Sequence, residues 1–233
     1  KYQEIIGDSK YQKYAEMLAE GIRFMINGKG ETTHVLSFPS LAVKEKFRIV
    51  YYDGEAALGL LRLYQINQNP ILLETVKLMF EHFFTKKYDK YHDHWLSYCT
   101  NELTKICPEK KYFEFGLNNY LKHMDFIENR KTAYATFLEM MMSAYKMVVR
   151  LKEQGFTDLV NMAKFDELKD LIELRVEFQR ATGYFYPEMA MYMAKPEKIL
   201  NAFYVRHDRF RTRSDDQEHN LSGYVAYLNY FNE

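Results

Sequence analysis

The chain is poor in the residues that break or staple a polypeptide. Five prolines and ten glycines in 233 residues leave long stretches free to run as unbroken helix. Only two cysteines occur, Cys99 and Cys107, which excludes a dense disulfide framework and identifies no compartment; reduced thiols are expected. Lys and Arg total 32 against 32 Asp and Glu, so no excess of either sign points to nucleic acid or a polyanionic surface. No apolar run approaches the roughly 20 residues that cross a bilayer. A phosphate-cradling glycine loop, a nucleophile elbow and zinc-type cysteine spacing are all missing. The chain begins at Lys1, without a methionine and inside a repeated phrase, which leaves room for a removed leader or an upstream segment.

What is present is apolar and aromatic. Hydrophobic residues make up 47% of the chain, enough for one domain over residues 1–233 to bury a sizeable core. One phrase recurs, a helix end, a tight break, then a helix opening on aromatic and acidic residues. It reads Gly7-Asp8-Ser9-Lys10-Tyr11, then Gln68-Asn69-Pro70-Ile71-Leu72, then Pro108-Glu109-Lys110-Lys111-Tyr112. Spacings of roughly 60 and roughly 40 residues indicate stacked helical hairpins.

Residues 10–26 carry a stripe of Tyr14, Leu18, Ile22 and Met25 at helical spacing. The connection 32–52 reads as ordered irregular or short β structure, and so long a loop is more often functional than not. Residues 53–64 are apolar all round, as in a helix buried on both sides, whereas 70–84 show one stripe (Leu72, Val76, Met79, Phe80, Phe83) suited to an outer helix. Residues 93–105 repeat the inner type and 112–127 the outer type. Residues 132–152 form a long inner helix with Met140–Met142 as core filler. Residues 165–181 are outer, with Leu168, Leu171, Ile172 and Val176. Residues 215–231 close the chain with Leu221, Tyr224, Val225 and Leu228.

Inner and outer helices joined by short turns describe an all-α fold, an (α/α) toroid of repeated hairpins. The phrase Tyr52-Asp53-Gly54-Glu55-Ala56-Ala57-Leu58-Gly59-Leu60-Leu61-Arg62-Leu63-Tyr64, followed by Asn69-Pro70, resembles the six-hairpin glycosidase-like (α/α)-barrel superfamily. More distantly it is similar to lanthionine-synthetase-like toroids. The resemblance covers most of the chain at superfamily level. Four or five hairpins are legible where six are usual, which leaves the N-terminal side of the ring incomplete and a plain helical solenoid as the alternative.

In such a toroid the inner-helix N-termini gather at one mouth, where orphan N–H groups favour acidic residues. The starts read Tyr51-Tyr52-Asp53-Gly54-Glu55, His92-Asp93-His94-Trp95, Thr132 to Glu139, and Ser214-Asp215-Asp216-Gln217-Glu218-His219. Each acid alone is an ordinary helix cap. Their accumulation beside histidines and a tryptophan exceeds what capping needs. Glycoside cleavage requires two carboxyl groups and flat aromatic faces. Glu55, Asp93 and Asp216, with His94 and His219 as proton shuttles, are therefore the catalytic candidates. Tyr52, Asp53, Trp95 and Glu218 are candidate substrate contacts, and Tyr51, Tyr184 and Tyr186 offer further faces, although most of the 20 tyrosines must serve packing.

His92, His94 and His219 around Asp93 raise a zinc site. The lanthionine-synthetase comparison implies cysteine ligands at inner-helix starts, and Cys99 and Cys107 lie a turn or more too deep, so no metal or other cofactor is expected. Arg209, Arg211 and Arg213 alternate and share a face if the segment is extended. They either pair with Asp215 and Asp216 or receive an anionic group. The leading expectation is a glycoside hydrolase-like enzyme acting on a glycan, with an acidic one favoured. The rival is a non-catalytic toroid, an accessory domain of a larger polysaccharide-related protein. A uronate lyase or epimerase is the third reading. Neither nucleic acid nor a membrane span is expected.

Overall fold

The computed structural model describes residues 2–132 and 134–231; Lys1, and Ala133 in the expected start of the long inner helix, lie outside them. Helix accounts for 68% of the structure and strand for 5%, which leaves no room for a layered sheet. The helices are α1 (Tyr2–Ile6), α2 (Gln12–Phe24), α3 (Tyr51–Asn67), α4 (Pro70–Lys86), α5 (His94–Ile106), α6 (Lys110–Leu121), α7 (Met124–Asn129) and α8 (Ala135–Leu151). They continue as α9 (Thr157–Met162), α10 (Phe165–Thr182), α11 (Pro187–Ala190), α12 (Pro196–Ile199) and α13 (Ser214–Phe231). Two strands, β1 (Val35–Leu36) and β2 (Val43–Glu45), pair antiparallel within the 32–52 connection.

The repeated phrase marks the starts of α2, α4 and α6. At α4 the cause is explicit. Asn69 Oδ1 accepts from the Ile71 N–H at 3.2 Å and Pro70 occupies the first turn, where its missing N–H costs nothing. Helices α3, α5, α8 and α13 pack in succession, each against the next; α4 lies on α3, α6 on α5 and α8, and α10 on α8. The α4 stripe Leu72, Val76, Met79, Phe80 and Phe83 is its buried face, as the spacing predicts. Leu168, Leu171, Ile172 and Val176 do the same for α10, and Met140–Met142 are buried in α8.

The apolar side chains form two large clusters. One joins α3, α4 and α5 (Leu60, Leu61, Val76, Phe80, Leu96); the other joins α6, α8 and α10 (Phe113, Leu117, Met141, Val148, Ile172). Each fully buried large apolar side chain contributes about 1.5–3 kcal/mol. Between the clusters runs a polar seam along α5 and α8. Arg150 Nη1 donates to the Asn101 carbonyl (3.2 Å) and to Thr104 Oγ1 (2.8 Å), and its Nη2 donates to Asn101 Oδ1 (3.2 Å).

Three expectations need correction. The outer helix expected over 112–127 is two helices, α6 and α7. The His92 ring donates through Nδ1 to the Asn119 carbonyl at 2.8 Å, the acceptor that the His123 N–H would otherwise use. That N–H turns to Tyr120 O instead, at 2.9 Å, and the helix tightens and stops. The α2 stripe is not buried as a face: Tyr14 and Leu18 are exposed and Ala19 is the buried residue. In α13 the buried side is Asp216, Asn220 and Gly223, while Leu221, Val225 and Leu228 lie outward.

His123 sits at the α6–α7 break, stacked on His92 (4.7 Å) and Phe126 (4.7 Å). Burial, helped by the charge of His92, lowers its pKa from 6.5 to about 4. The fold therefore holds this ring neutral. Its contribution to stability is complete above 6.5 and is lost as the pH falls toward 4, because the unfolded chain takes up the proton first. The thermal midpoint of the wild type is expected to fall between pH 7 and pH 5 more steeply than that of His123→Phe. Parallel curves by circular dichroism would assign no such role to His123.

Candidate functional site

The site begins with Asp93. Its Oδ1 accepts from the Leu96 N–H at 3.0 Å and so starts α5 at His94. Asn119 of α6 fixes this corner from outside. Its Oδ1 accepts from the Asp93 N–H (3.1 Å), and its Nδ2 donates to the Asp93 carbonyl (2.9 Å) and to Ser97 Oγ (2.8 Å). The second Asp93 oxygen, Oδ2, lies 3.4 Å from His94 Nδ1 without hydrogen-bond geometry.

His94 therefore points across the row formed by α3, α5, α8 and α13. Its ring is 5.2 Å from the ring of His219, edge-on at 87°, 4.9 Å from Trp95 and 5.7 Å from Tyr51. Trp95 is 6.0 Å from His219. His219, on the second turn of α13, places Nδ1 2.7 Å from Glu139 Oε2 and 3.5 Å from Glu218. The hydrogen bond that His219 gives to Glu139 raises the His219 pKa, burial opposes it, and the charges of Glu139, Glu218 and Asp215 add to the rise. Glu139 Oε1 accepts from the Tyr98 hydroxyl at 2.8 Å, which also meets Ser222 Oγ at 2.8 Å. Burial, reinforced by the charge of Glu139, pushes the Tyr98 pKa well up, so the hydroxyl stays protonated.

Glu55, at the start of the second turn of α3, completes the group. Burial raises its carboxyl pKa, and it feels the charges of His94, Asp93 and His219: the imidazoles lower the pKa and Asp93 raises it. Beside it opens a pocket of 280 Å³ lined by Glu55, Tyr52, His34, Thr32, Met25 and Ile22. That volume is near the lower end of ligand pockets, about 300–1,000 Å³. A hollow of 390 Å³ between α7 and α10 is lined by Asp125, Glu128, Glu167 and Asp170, with no imidazole or nucleophile among its lining residues.

Of the residues expected from the sequence, Glu55, Asp93, His94, Trp95 and His219 come together, with Glu218 exposed at the edge beside His219. Tyr52 lines the pocket, 5.3 Å from the His34 ring. Asp53 is turned elsewhere: its Oδ2 is 3.2 Å from His34 Nε2, and His34 Nδ1 accepts from the Arg48 N–H at 2.9 Å. Nε2 therefore carries the proton given to Asp53, and the pair anchors the β1–β2 connection. Burial raises the Asp53 pKa, with Thr32 and His34 opposing. Asp216 is held by Arg213 through two contacts of 3.2 Å and lies 3.6 Å from Arg211 Nε. Its charge is spent there. Arg213 also meets Asp215 (2.8 Å) and Arg211 meets Asp208, so these two arginines take the ion-paired alternative. Residues 206–208 form a 3-10 turn, and Arg209 and Phe210 have positive φ, so the segment is not the extended run that would align the three guanidiniums. Arg209 is exposed. His92 is turned away to Asn119 and His123, and Tyr184 and Tyr186 pair with each other, 5.0 Å apart.

Glu139, Tyr98 and Ser222 were not singled out by sequence reasoning. For Glu139 the signal was available: Phe137-Leu138-Glu139-Met140-Met141-Met142 sets a carboxylate inside an apolar run, and a buried acid needs partners. Among the described residues, His94, Glu139 and His219 are the set whose ligand atoms lie close enough to share an ion, all within 4.8 Å of one another. No family model, curated protein or solved structure matches the chain.

The cleft depends on how closely α3 approaches α5. A Cβ added to Gly54 would lie 2.5 Å from Trp95 Cβ and 3.1 Å from Asp93 Oδ1. Both are anchored atoms, so the helices must separate. Gly54→Ala is expected to destabilise the protein by about 1–3 kcal/mol, as overpacking does, measured by urea unfolding. An unchanged midpoint would show that the helices have slack here.

Proposed function

We propose that the chain is a partial (α/α) toroid whose inner-helix mouth performs acid–base chemistry on a glycan. One observation supports this above the others. Glu55, His94, His219 and Glu139, from four successive inner helices, converge beside Trp95 and a pocket of 280 Å³. Glu55 is the proton donor. Burial raises its carboxyl pKa, which keeps the acid form to higher pH. It delivers the proton to the oxygen of the scissile bond. Trp95 and Tyr52 offer flat faces to the sugar ring. Cleavage of a glycoside needs a second carboxylate on the opposite side. Glu139, with His219, holds the attacking water there; Asp216, a catalytic candidate from the sequence, is taken up by its arginines.

The substrate is best read as a neutral glycan. Asp93, Glu139 and Glu55 make the cleft acidic, and Arg211 and Arg213 are spent on Asp208, Asp215 and Asp216. A uronate would meet like charge.

Glu55→Gln is expected to keep the fold and to lower glycan cleavage by roughly 10²–10⁴-fold, the usual worth of a positioned proton donor. Wild-type turnover should decline as pH rises through the raised Glu55 value, since the acid form is the active one. Cleavage of a panel of neutral and acidic oligosaccharides checks both. Turnover unaffected by the substitution removes Glu55 from the chemistry. Binding without any cleavage favours the accessory-domain reading, and no binding at all removes the glycan.

A further inference from the structure

Among the buried polar atoms of the described residues that have no hydrogen-bond partner, two stand on neighbouring residues in the cleft. His94 is 5% exposed and its Nε2 is unpartnered; Asp93 Oδ2, behind the same ring, is unpartnered as well. A buried polar atom left alone is costly, and native structures rarely tolerate it without a reason. A cation on Nε2 removes both defects together. It fixes the imidazole proton on Nδ1, which then has Asp93 Oδ2 as its acceptor across the present 3.4 Å.

The rest of the shell is in place. Glu139, 2% exposed, and His219 face His94, and one ligand atom from each of the three lies within 4.8 Å of the others. Metal–ligand bonds of about 2.0–2.1 Å set neighbouring tetrahedral ligands about 3.3 Å apart. Glu139 Oε2 and His219 Nδ1 are now closer than that, at 2.7 Å, and His94 is the more distant ligand, so side-chain rotation closes the set. Two of the three ligands have an outer partner: Asp93 behind His94, and Tyr98, itself supported by Ser222, on the free oxygen of Glu139. Such partners orient metal ligands. Charge agrees. Among the described ion pairs, no Lys or Arg neutralises Glu55, Asp93 or Glu139, and the counter-charges near them are imidazoles.

We propose that His94 Nε2, Glu139 Oε2 and His219 Nδ1 hold one divalent transition-metal ion, zinc being the best match. Two imidazoles and one carboxylate suit a zinc site that keeps its fourth position open, rather than a closed structural one. Glu139 takes the place that sequence reasoning gave to His92, and the expectation of no metal is revised accordingly. The inference does not rest on the glycan reading. It concerns the ion alone: with an ion bound, Glu139 and His219 are its ligands in place of the base role given to them above.

The test uses the full chain, stripped with a chelator and desalted, and titrated with zinc chloride by calorimetry. One ion per chain is expected, with a zinc-dependent rise in the thermal midpoint. His94→Gln and Glu139→Gln should abolish both. Asp93→Asn keeps the helix cap, since Asn caps as well as Asp, yet should weaken zinc binding roughly 10–100-fold through loss of the outer carboxylate. Cobalt substitution should give visible absorption bands of a four- or five-coordinate ion, absent in His94→Gln. No stoichiometric binding, or equal binding by wild type, His94→Gln and Asp93→Asn, overturns the site.

Discussion

Helix α5 is the element on which the others depend, because it is enclosed by α3, α6 and α8 and still carries polar residues over much of its surface. A helix in that position must satisfy every polar group internally. Thr100 and Thr104 return their hydroxyls to the carbonyls one turn back, at 2.7 and 2.8 Å. Asn101 and Thr104 receive Arg150 from α8, and Ser97 receives Asn119 from α6. The helix is thereby tied to its neighbours by directional contacts, while Leu96, Cys99 and Leu103 fill the apolar cluster with α3 and α4. Hydrophobic burial supplies attraction without direction. The polar seam supplies the register, and the register decides which side chains meet at the mouth.

The cleft follows from that register. Asp93 is both the cap that starts α5 and the carboxylate beside His94. Asn119 binds the Asp93 backbone from α6, so the corner is held on both sides. Across it, His219 reaches Glu139 only because α13 lays its Asp216–Asn220–Gly223 side on α8, with Gly223 permitting close approach to Leu138. The outward position of Leu221, Val225 and Leu228 is the other side of the same choice.

Much of this was legible in the chain. The stripes of α4 and α10 are apolar residues at 3.6-residue spacing, and such spacing reports directly on which face is covered. The convergence of Glu55, Asp93, His94, Trp95 and His219 was legible because all sit at or near the N-terminal ends of α3, α5 and α13. Other features were not, for physical reasons. Asp53 and Asp216 have the same local pattern as the residues that converge, and only tertiary contacts with His34 and with Arg213 show that their charges are used elsewhere. The break between α6 and α7 arises from a ring 27 positions away in sequence, outside any local window. The α2 and α13 stripes misled because amphipathic spacing says which face is apolar, not whether a neighbour covers it. Glu139 was hidden by its surroundings: one acid among methionines contributes little to periodicity, although burial makes it the pivot of the site.

The order in which the cleft can come into being follows from where its parts lie. Hairpins such as α3–α4 and α5–α6 join neighbours in sequence and close cheaply, as short-range contacts do. The cleft is different: Glu55, His94, Glu139 and His219 are spread over most of the chain, and the pairing of His219 with Glu139 spans 80 residues. Closing that separation costs loop entropy which local helix formation does not recover. The earlier hairpins can be largely native while the cleft still lacks one wall. The cleft is thus complete only with α13 docked on α8, because that helix brings His219 to Glu139.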